Sequence, residues 1–328
     1  MSEPRQEQMQ KPAQAALSEP APEPTPRLLL LGAGYTGQRL LQAGPGERGL
    51  AQAVAGFASS TAWRSADWNL DARAPLPSAG AWTHVAYLVP PPGTGDTDPR
   101  LEHALGELLG NTPTLRRVVY LSTTGVYGDA GGATVDENTP PRPATARAKR
   151  RLAAEQALQA ACMAAGVEWT VLRVPGIYGP GRLPLERLRR GEPLPEAALA
   201  RPGNRIHVDD LVATLQLALQ HPAAANAVFN VGDGDTTSTA AYLQRLAALT
   251  GLPAPSVVPD ERARAALSAE AWSFLMEARR VETRRLREQL GFAPRYPDCT
   301  SGLRASLAEE ASASSNAGAN IGTNTGTG

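Results

Sequence analysis

With 328 residues, 42% of them hydrophobic, the chain can bury a full core as one large domain or as a domain with a smaller lobe. Lysine plus arginine (32) equals aspartate plus glutamate (32), so no net field selects nucleic acid or an acidic membrane as a partner. Two cysteines and 4 scattered histidines show no metal-ligand spacing, and no apolar run reaches the roughly 18 residues that span a bilayer, so neither a metal site nor a membrane span is expected.

Residues 1–26 are polar, rich in proline, glutamine and alanine, and lack the apolar core of a secretory signal. They read as a disordered tail, and the protein as cytoplasmic. RLLLLGAG then reads as a buried strand ending in glycines, and TGQRLLQAG as the start of a helix. QAVAGFASS and THVAYLVPP follow as strands, LEHALGELLG as a helix, and RRVVYLSTTGVYG as a strand running into a loop. ATARAKRRLAAEQALQAACMAAG is a long helix closed by Gly166, and VEWTVLRVPGIYGPG a further strand and loop. Strands alternating with helices at this pitch predict an α/β fold. The expected architecture is a Rossmann-type doubly wound parallel sheet over 27–180, a smaller C-terminal substrate lobe over 181–309 interleaved with it, and a disordered tail at 310–328.

GAGYTG matches G-x-G-x-x-G directly after a strand and at the start of a helix. Gly32 suits the tight turn, Gly34 a close backbone approach to a diphosphate, and Gly37 close packing of helix on strand. Tyr35 and Thr36 lie in the first helical turn, whose free N–H groups suit an anion. An acid about 20 residues further on would select NAD, but that region reads GFASSTAWRS. Ser59 offers a hydroxyl and Arg64 a partner for a 2′-phosphate, so NADP is favoured over NAD.

The glycine loop, YLSTTGVYGD, LRVPGIYGPGR, NRIHVDDLV, VFNVGDG and RRLREQLGFAPRYPD occur in an order that resembles the extended short-chain dehydrogenase/reductase superfamily of nucleotide-sugar epimerases and dehydratases. Within it, the chain is similar to the atypical YeeZ-like branch, over residues 27–305. The resemblance implies an oxidoreductase or epimerase acting on a small carbonyl, hydroxyl or sugar-type substrate. It implies that Thr123 donates a hydrogen bond to the reacting oxygen, with Tyr127 four residues on, and that Pro90, Ser122, Pro175 and Ile177 lie along the cofactor. Tyr178, Arg205 and His207 would face the substrate. The alternative reading of Thr123, less favoured than the donor role, is a strand-end hydroxyl that satisfies loose backbone groups. Asp209 and Asp210, at a helix start, read as capping residues.

One departure stands out. The superfamily's reductases use a Tyr-x-x-x-Lys pair on one helix face, but four residues before Lys149 is Thr145. Registering the helix on Glu155 instead places Arg147 and Arg151 at the two positions, and neither register supplies a phenol. Lys149 either grips the cofactor ribose or is a solvated charge beside Arg150 and Arg151. A proton donor would come from Tyr127, Tyr178, His207 or an ordered water. Two other readings stay open: a non-catalytic NADP-binding sensor or regulator, and a structural module that keeps the fold without a function. Arg182, Arg205 and Arg279 are candidates to hold an anionic group, and the helix over 145–164 is a candidate homodimer face.

Overall fold

The structure, a computed structural model, describes residues 27–43, 54–57, 70–76 and 82–321. Its strands, in chain order, are β1 (Leu28–Leu31), β2 (Val54–Phe57), β3 (His84–Tyr87), β4 (Arg117–Thr123), β5 (Thr134–Val135), β6 (Glu168–Val174), β7 (Gly176–Tyr178), β8 (Leu194–Pro195), β9 (Arg205–His207), β10 (Ala227–Asn230), β11 (Val257–Val258) and β12 (Arg280–Val281). Among the described residues, six of these form one sheet in the order β10-β6-β4-β3-β1-β2, with every neighbour parallel. The others pair as short ladders, β7 with β9, β8 with β11 and β5 with β12.

The sheet is parallel because both its faces are buried, and β1 shows why. Its four leucines are all buried and alternate between two cores. Leu29 and Leu31 join α2 (Pro99–Asn111) and α3 (Ala146–Ala165) through Leu101, Leu105, Leu108 and Leu158. On the opposite face, Leu28 and Leu30 join Leu40 of α1 (Tyr35–Ala43). Leu211, Leu215 and Leu219 complete that face. Burying each such leucine contributes roughly 1.5–3 kcal/mol.

Helix α3 begins at Thr145, whose hydroxyl accepts from Ala148 N–H at 3.2 Å, and ends at Gly166 with φ +67°. The lobe is built on α4 (Leu185–Arg189), α5 (Val208–Gln220), α6 (Thr239–Thr250), α7 (Asp260–Ala266), α8 (Ala269–Met276) and α9 (Arg284–Leu290). Not all of this stretch is peripheral, because α5 and α9 pack on the sheet and β10 extends it. The last helix, α10 (Cys299–Ile321), continues past residue 310, where the sequence reading places the start of a tail.

Because β1 lies between β2 and β3, the chain leaves it in opposite directions, and a crevice opens above the carboxyl ends of β1 and β3. The glycine loop that follows β1 lies at this crevice. No helix among the described residues is long and apolar enough to cross a membrane.

Candidate functional site

The glycine loop follows β1 into this crevice. Gly32 has φ +98°, and a Cβ there would lie 2.8 Å from Val89 N, so the segment after β3 presses on it. A Cβ on Gly37 would overlap the Gly32 carbonyl oxygen. The chain's own packing therefore demands both glycines. Gly34 is different: it is exposed, and a Cβ there would meet nothing within 4 Å. The first bond of α1 runs from Gln38 N–H to Gly34 O at 2.8 Å, so the N–H groups of the preceding turn point out of the helix end. Together these features form a bare main-chain cradle that fits a diphosphate.

Thr36 and Gly37 are buried beneath that cradle, while Tyr35 forms its rim. A Cβ on Gly179 would lie 2.5 Å from the Tyr35 hydroxyl, and the Arg182 guanidinium sits 5.2 Å above the Tyr35 ring. Burial pushes the phenol up to about 12, so it is neutral near pH 7. Pro90 lies on the opposite wall, next to the Val89 that abuts Gly32, and its carbonyl accepts from Arg100 Nη1 at 3.3 Å. Ser59 and Arg64, expected to read the ribose end of the cofactor, lie outside the described residues.

At the end of β4 the structure corrects two expectations. Ser122, expected along the cofactor, is buried, and its hydroxyl donates to Glu155 Oε1. Tyr127, a candidate acid, is also buried: its hydroxyl donates to Asn230 Oδ1 at 2.8 Å and accepts from Arg173 Nη1 at 2.9 Å. Burial raises this phenol above its ordinary value, and its two hydrogen bonds tie the end of β4 to β6 and β10 of the same sheet. Thr123 is half-buried, and its Oγ1 accepts from Gly125 N–H at 3.1 Å, capping a short 3-10 turn. That leaves the hydroxyl proton available to donate at the carboxyl edge of the sheet.

Lys149 is exposed, and its side chain makes no hydrogen bond or ion pair among the described residues. The neighbouring arginines point inward instead. Arg150 Nη1 donates to Gly95 O at 3.1 Å. Arg151 Nη1 donates to Leu121 O at 2.7 Å and Tyr120 Oη at 3.1 Å. The register set on Glu155 is thus the one that faces the sheet: Arg151 sits at the end of β4, while Lys149, read from the sequence either as a grip on the ribose or as a solvated charge, is exposed on another face of the helix. The cause is helical geometry, since residues 151 and 155 share a face and 149 does not.

A cavity of about 170 Å³ lies beyond β7, lined by Ile177, Tyr178, Arg205 and Tyr242 among others. Pro175 precedes it, half-buried, at the turn from β6 into β7. Tyr178 contributes its ring to the wall, but its hydroxyl is aimed at Gly302 on α10, where a Cβ would overlap it. Arg205 is buried, with Nη1 on Thr237 O at 2.7 Å, Nη2 on Thr239 Oγ1 at 3.0 Å, and Tyr242 stacked 4.3 Å from its guanidinium. It is a fixed positive wall, not a fork open to a ligand. Arg279 is engaged as well, through Gly128 O at 2.5 Å and Glu277 Oε2 at 2.9 Å.

His207, expected to face the substrate, instead caps α5. Its Nδ1 accepts from Asp209 N–H at 3.2 Å, which places the proton on Nε2, 3.1 Å from Ser306 Oγ. Burial lowers it to about 4, so it is neutral and fully engaged. The two aspartates after it have structural partners too: Asp209 pairs with Arg39 Nε at 2.5 Å, and Asp210 accepts from the amides of Arg295 and Tyr296 at 2.7 and 3.0 Å.

Sequence patterns missed the Glu155–Arg173 pair, Asn230 and Arg187. A signal existed for the first: Arg173 follows the apolar pair Val171 and Leu172 inside a strand buried on both faces, where a charge requires a partner. Among the described residues no cluster of His, Cys, Asp or Glu is placed to hold a metal.

Comparison with known proteins agrees with this geometry. The model of the family described as "NAD dependent epimerase/dehydratase family" matches residues 91–232. A solved structure of a functionally unknown conserved protein from Silicibacter pomeroyi DSS is 32% identical, covering 87% of this chain and 99% of that one with a TM-score of 0.74. The chain belongs to the NAD dependent epimerase/dehydratase family. This family member is also similar to Protein YeeZ of Escherichia coli K12, 28% identical over 216 residues, 65% of this chain and 72% of that protein. MoeE5, solved with UDP-glucuronic acid and NAD, is 23% identical, covers 88% of this chain and 99% of its own with a TM-score of 0.68, and shares the fold. The family match begins after the glycine loop, so the reading of that loop stands on its own steric grounds.

Proposed function

We propose that the protein is a nicotinamide-dinucleotide-dependent oxidoreductase or epimerase that acts on a small carbonyl, hydroxyl or sugar-type substrate held between the sheet and the lobe cavity. The observation that carries this reading is the open side of Gly34: of the three loop glycines, it alone has no neighbour that would forbid a side chain. A ligand diphosphate supplies the missing reason for a glycine. The main-chain amides at the start of α1 would hold that diphosphate, and Arg182, above Tyr35, brings a positive charge to the same end of the crevice. NADP is the favoured form, on the absence of an acid after β2 and the presence of Arg64. When bound, the nicotinamide accepts or supplies the hydride.

The chain's own residues orient and stabilise. Thr123 donates a hydrogen bond to the oxygen that gains charge and keeps its own proton. Pro175 and Ile177 lie at the opening between crevice and cavity. The second reading, a cofactor-binding protein without turnover, draws support from Tyr127, whose phenol is engaged on both sides, and from α3, which carries no tyrosine.

Calorimetric titration with NADPH, NADP, NADH and NAD tests the proposal. Binding tighter than millimolar, with the phosphorylated cofactors ahead, is the expected result; silence from all four removes both readings. Thr123→Ala then separates them, because loss of a donor to a developing oxyanion costs roughly 3 kcal/mol in rate where there is turnover to lose.

A further inference from the structure

The lobe cavity carries a charge pattern that the cofactor reading does not use. Three arginines line it, Arg182, Arg187 and Arg205, and no carboxylate does. Its remaining wall is largely apolar and aromatic, with Ile177, Tyr242 and Phe274 prominent. The arginines differ in what they still offer. Arg205 has both terminal nitrogens engaged and contributes only its field. Arg187, on α4, is 15% exposed at its side chain, and its Nε and Nη2 are buried with no hydrogen-bond partner. Its nearest counter-charge is Glu192 Oε2, 3.5 Å from Nε, too far and too poorly placed to satisfy either donor. Burial also lowers the Arg187 guanidinium below its ordinary value, as expected of a cation waiting in a dry wall.

Buried donors left without acceptors are destabilising. At a cavity wall, a ligand acceptor would cancel that cost. The planar fork of a guanidinium fits the two oxygens of a carboxylate or the face of a phosphate. The size of the cavity limits what else comes with that anion. A cavity of about 150 Å³ holds one benzene ring, and this one measures about 170 Å³. That volume seats an acid head with one small ring or short chain, and a nucleotide sugar would have to extend well beyond it.

We infer that the substrate of this protein is a small organic acid, a carboxylate or phosphate monoester with a compact apolar or aromatic body, anchored by Arg187, and not a nucleotide sugar. The inference rests on reading the lobe cavity as the substrate site of the proposed enzyme. Arg187 is the anchor, Arg205 the fixed positive wall, and the Tyr242 and Phe274 rings the surface against which the body packs. Arg182 stands between this cavity and the glycine loop, within reach of both.

The test is calorimetric titration of benzoate, phenyl phosphate and UDP-glucose into the full chain, with and without saturating NADPH, for the parent, Arg187→Met and Arg187→Lys. At least one of the two acids is expected to bind the parent, with affinity falling tenfold or more in Arg187→Met. Arg187→Lys should recover part of the loss, since it restores charge without the fork. If Arg187→Met does not fold, the parent-to-Arg187→Lys drop carries the same information. The benzoate and phenyl phosphate arms decide between carboxylate and phosphate. The inference is overturned if neither acid binds, if Arg187 variants bind them as the parent does, or if UDP-glucose binds more tightly than both. NADPH titration into the same samples keeps the two questions apart: acid binding without NADPH binding removes the cofactor reading and with it the word substrate, leaving only an acid-binding site anchored by Arg187, whereas NADPH binding without acid binding overturns this inference alone.

Discussion

Arg173 and Glu155 face each other at 2.8 Å inside the layer between sheet and helix, with side-chain exposures of 6% and 1%. Burial opposes the charge on Arg173, and its hydrogen bonds to Glu155 overcome it, holding the guanidinium above its ordinary value. Ser122, Tyr127 and Asn230 complete the network. Arg173→Met leaves the Glu155 charge buried without its partner and should cost about 3–5 kcal/mol in urea denaturation. Tyr127→Phe removes one hydroxyl and should cost about 1 kcal/mol while leaving NADPH affinity unchanged. Lost turnover at unchanged stability in Tyr127→Phe would return that phenol to the chemistry.

The glycine loop makes a prediction in two opposite directions. Gly34→Ala should leave the melting temperature within a degree or two, since a methyl meets no neighbour there, yet weaken cofactor binding tenfold or more. Gly37→Ala should destabilise by about 1–3 kcal/mol, because its methyl overlaps the Gly32 carbonyl. Parental cofactor affinity in Gly34→Ala would mean that the open side of the loop does not receive the diphosphate.

His207 sets an acid limit on stability. Buried and lowered to about 4 from an ordinary 6.5, it stays neutral in the fold but takes up a proton when unfolded. Its contribution is therefore complete above pH 6.5 and is lost as pH falls toward 4. Replacing it with asparagine, whose amide oxygen retains an acceptor for Asp209 N–H, should flatten the stability profile across that window. Melting curves recorded at half-unit steps would show it, and an unchanged acid limb in His207→Asn would exclude the assignment.

Asp233 acts in the opposite sense. Burial raises its carboxyl to about 8, and the neighbouring Asp235 charge adds to the shift while the Asp235 amide and Arg205 oppose it. The folded state keeps a proton that the unfolded chain releases near pH 4, so stability is full below that value and declines as pH climbs toward about 8. The decline approaches roughly 1.4 kcal/mol per pH unit inside the window. Asp233→Asn should remove this slope, measurable as a smaller drop in melting temperature between pH 5 and pH 8. An equal drop in both proteins would place the proton elsewhere.

The sheet was readable because its determinants are local. Four consecutive leucines before GAG, the Thr145 cap and Gly166 each act within a few residues of where they sit, and β1 and α3 follow directly. The candidate site was readable only where it too is local, in the glycine loop. Tyr127 reads as a candidate acid because its partners lie 46 and 103 positions away, at Arg173 and Asn230. Lys149 draws attention by its rarity, whereas the helix turns Arg151 toward the sheet. His207 has the composition of a catalytic residue and the environment of a cap, a distinction that depends on Ser306, 99 positions further on.

Arg39, on the first helix, reaches Asp209 through Nε and Glu309 through Nη1 and Nη2, the second partner lying 270 positions along the chain. Gly181 N–H is fastened to the adjacent Glu310 at 2.6 Å. At a synthesis rate of roughly 5–20 residues per second, a nascent chain waits on the order of tens of seconds between making the first helix and making its clamp. Through that interval the unit formed by β1, the first helix and β2 lacks its outer fastening. The glycine-loop crevice is thus translated well before the residues that secure it.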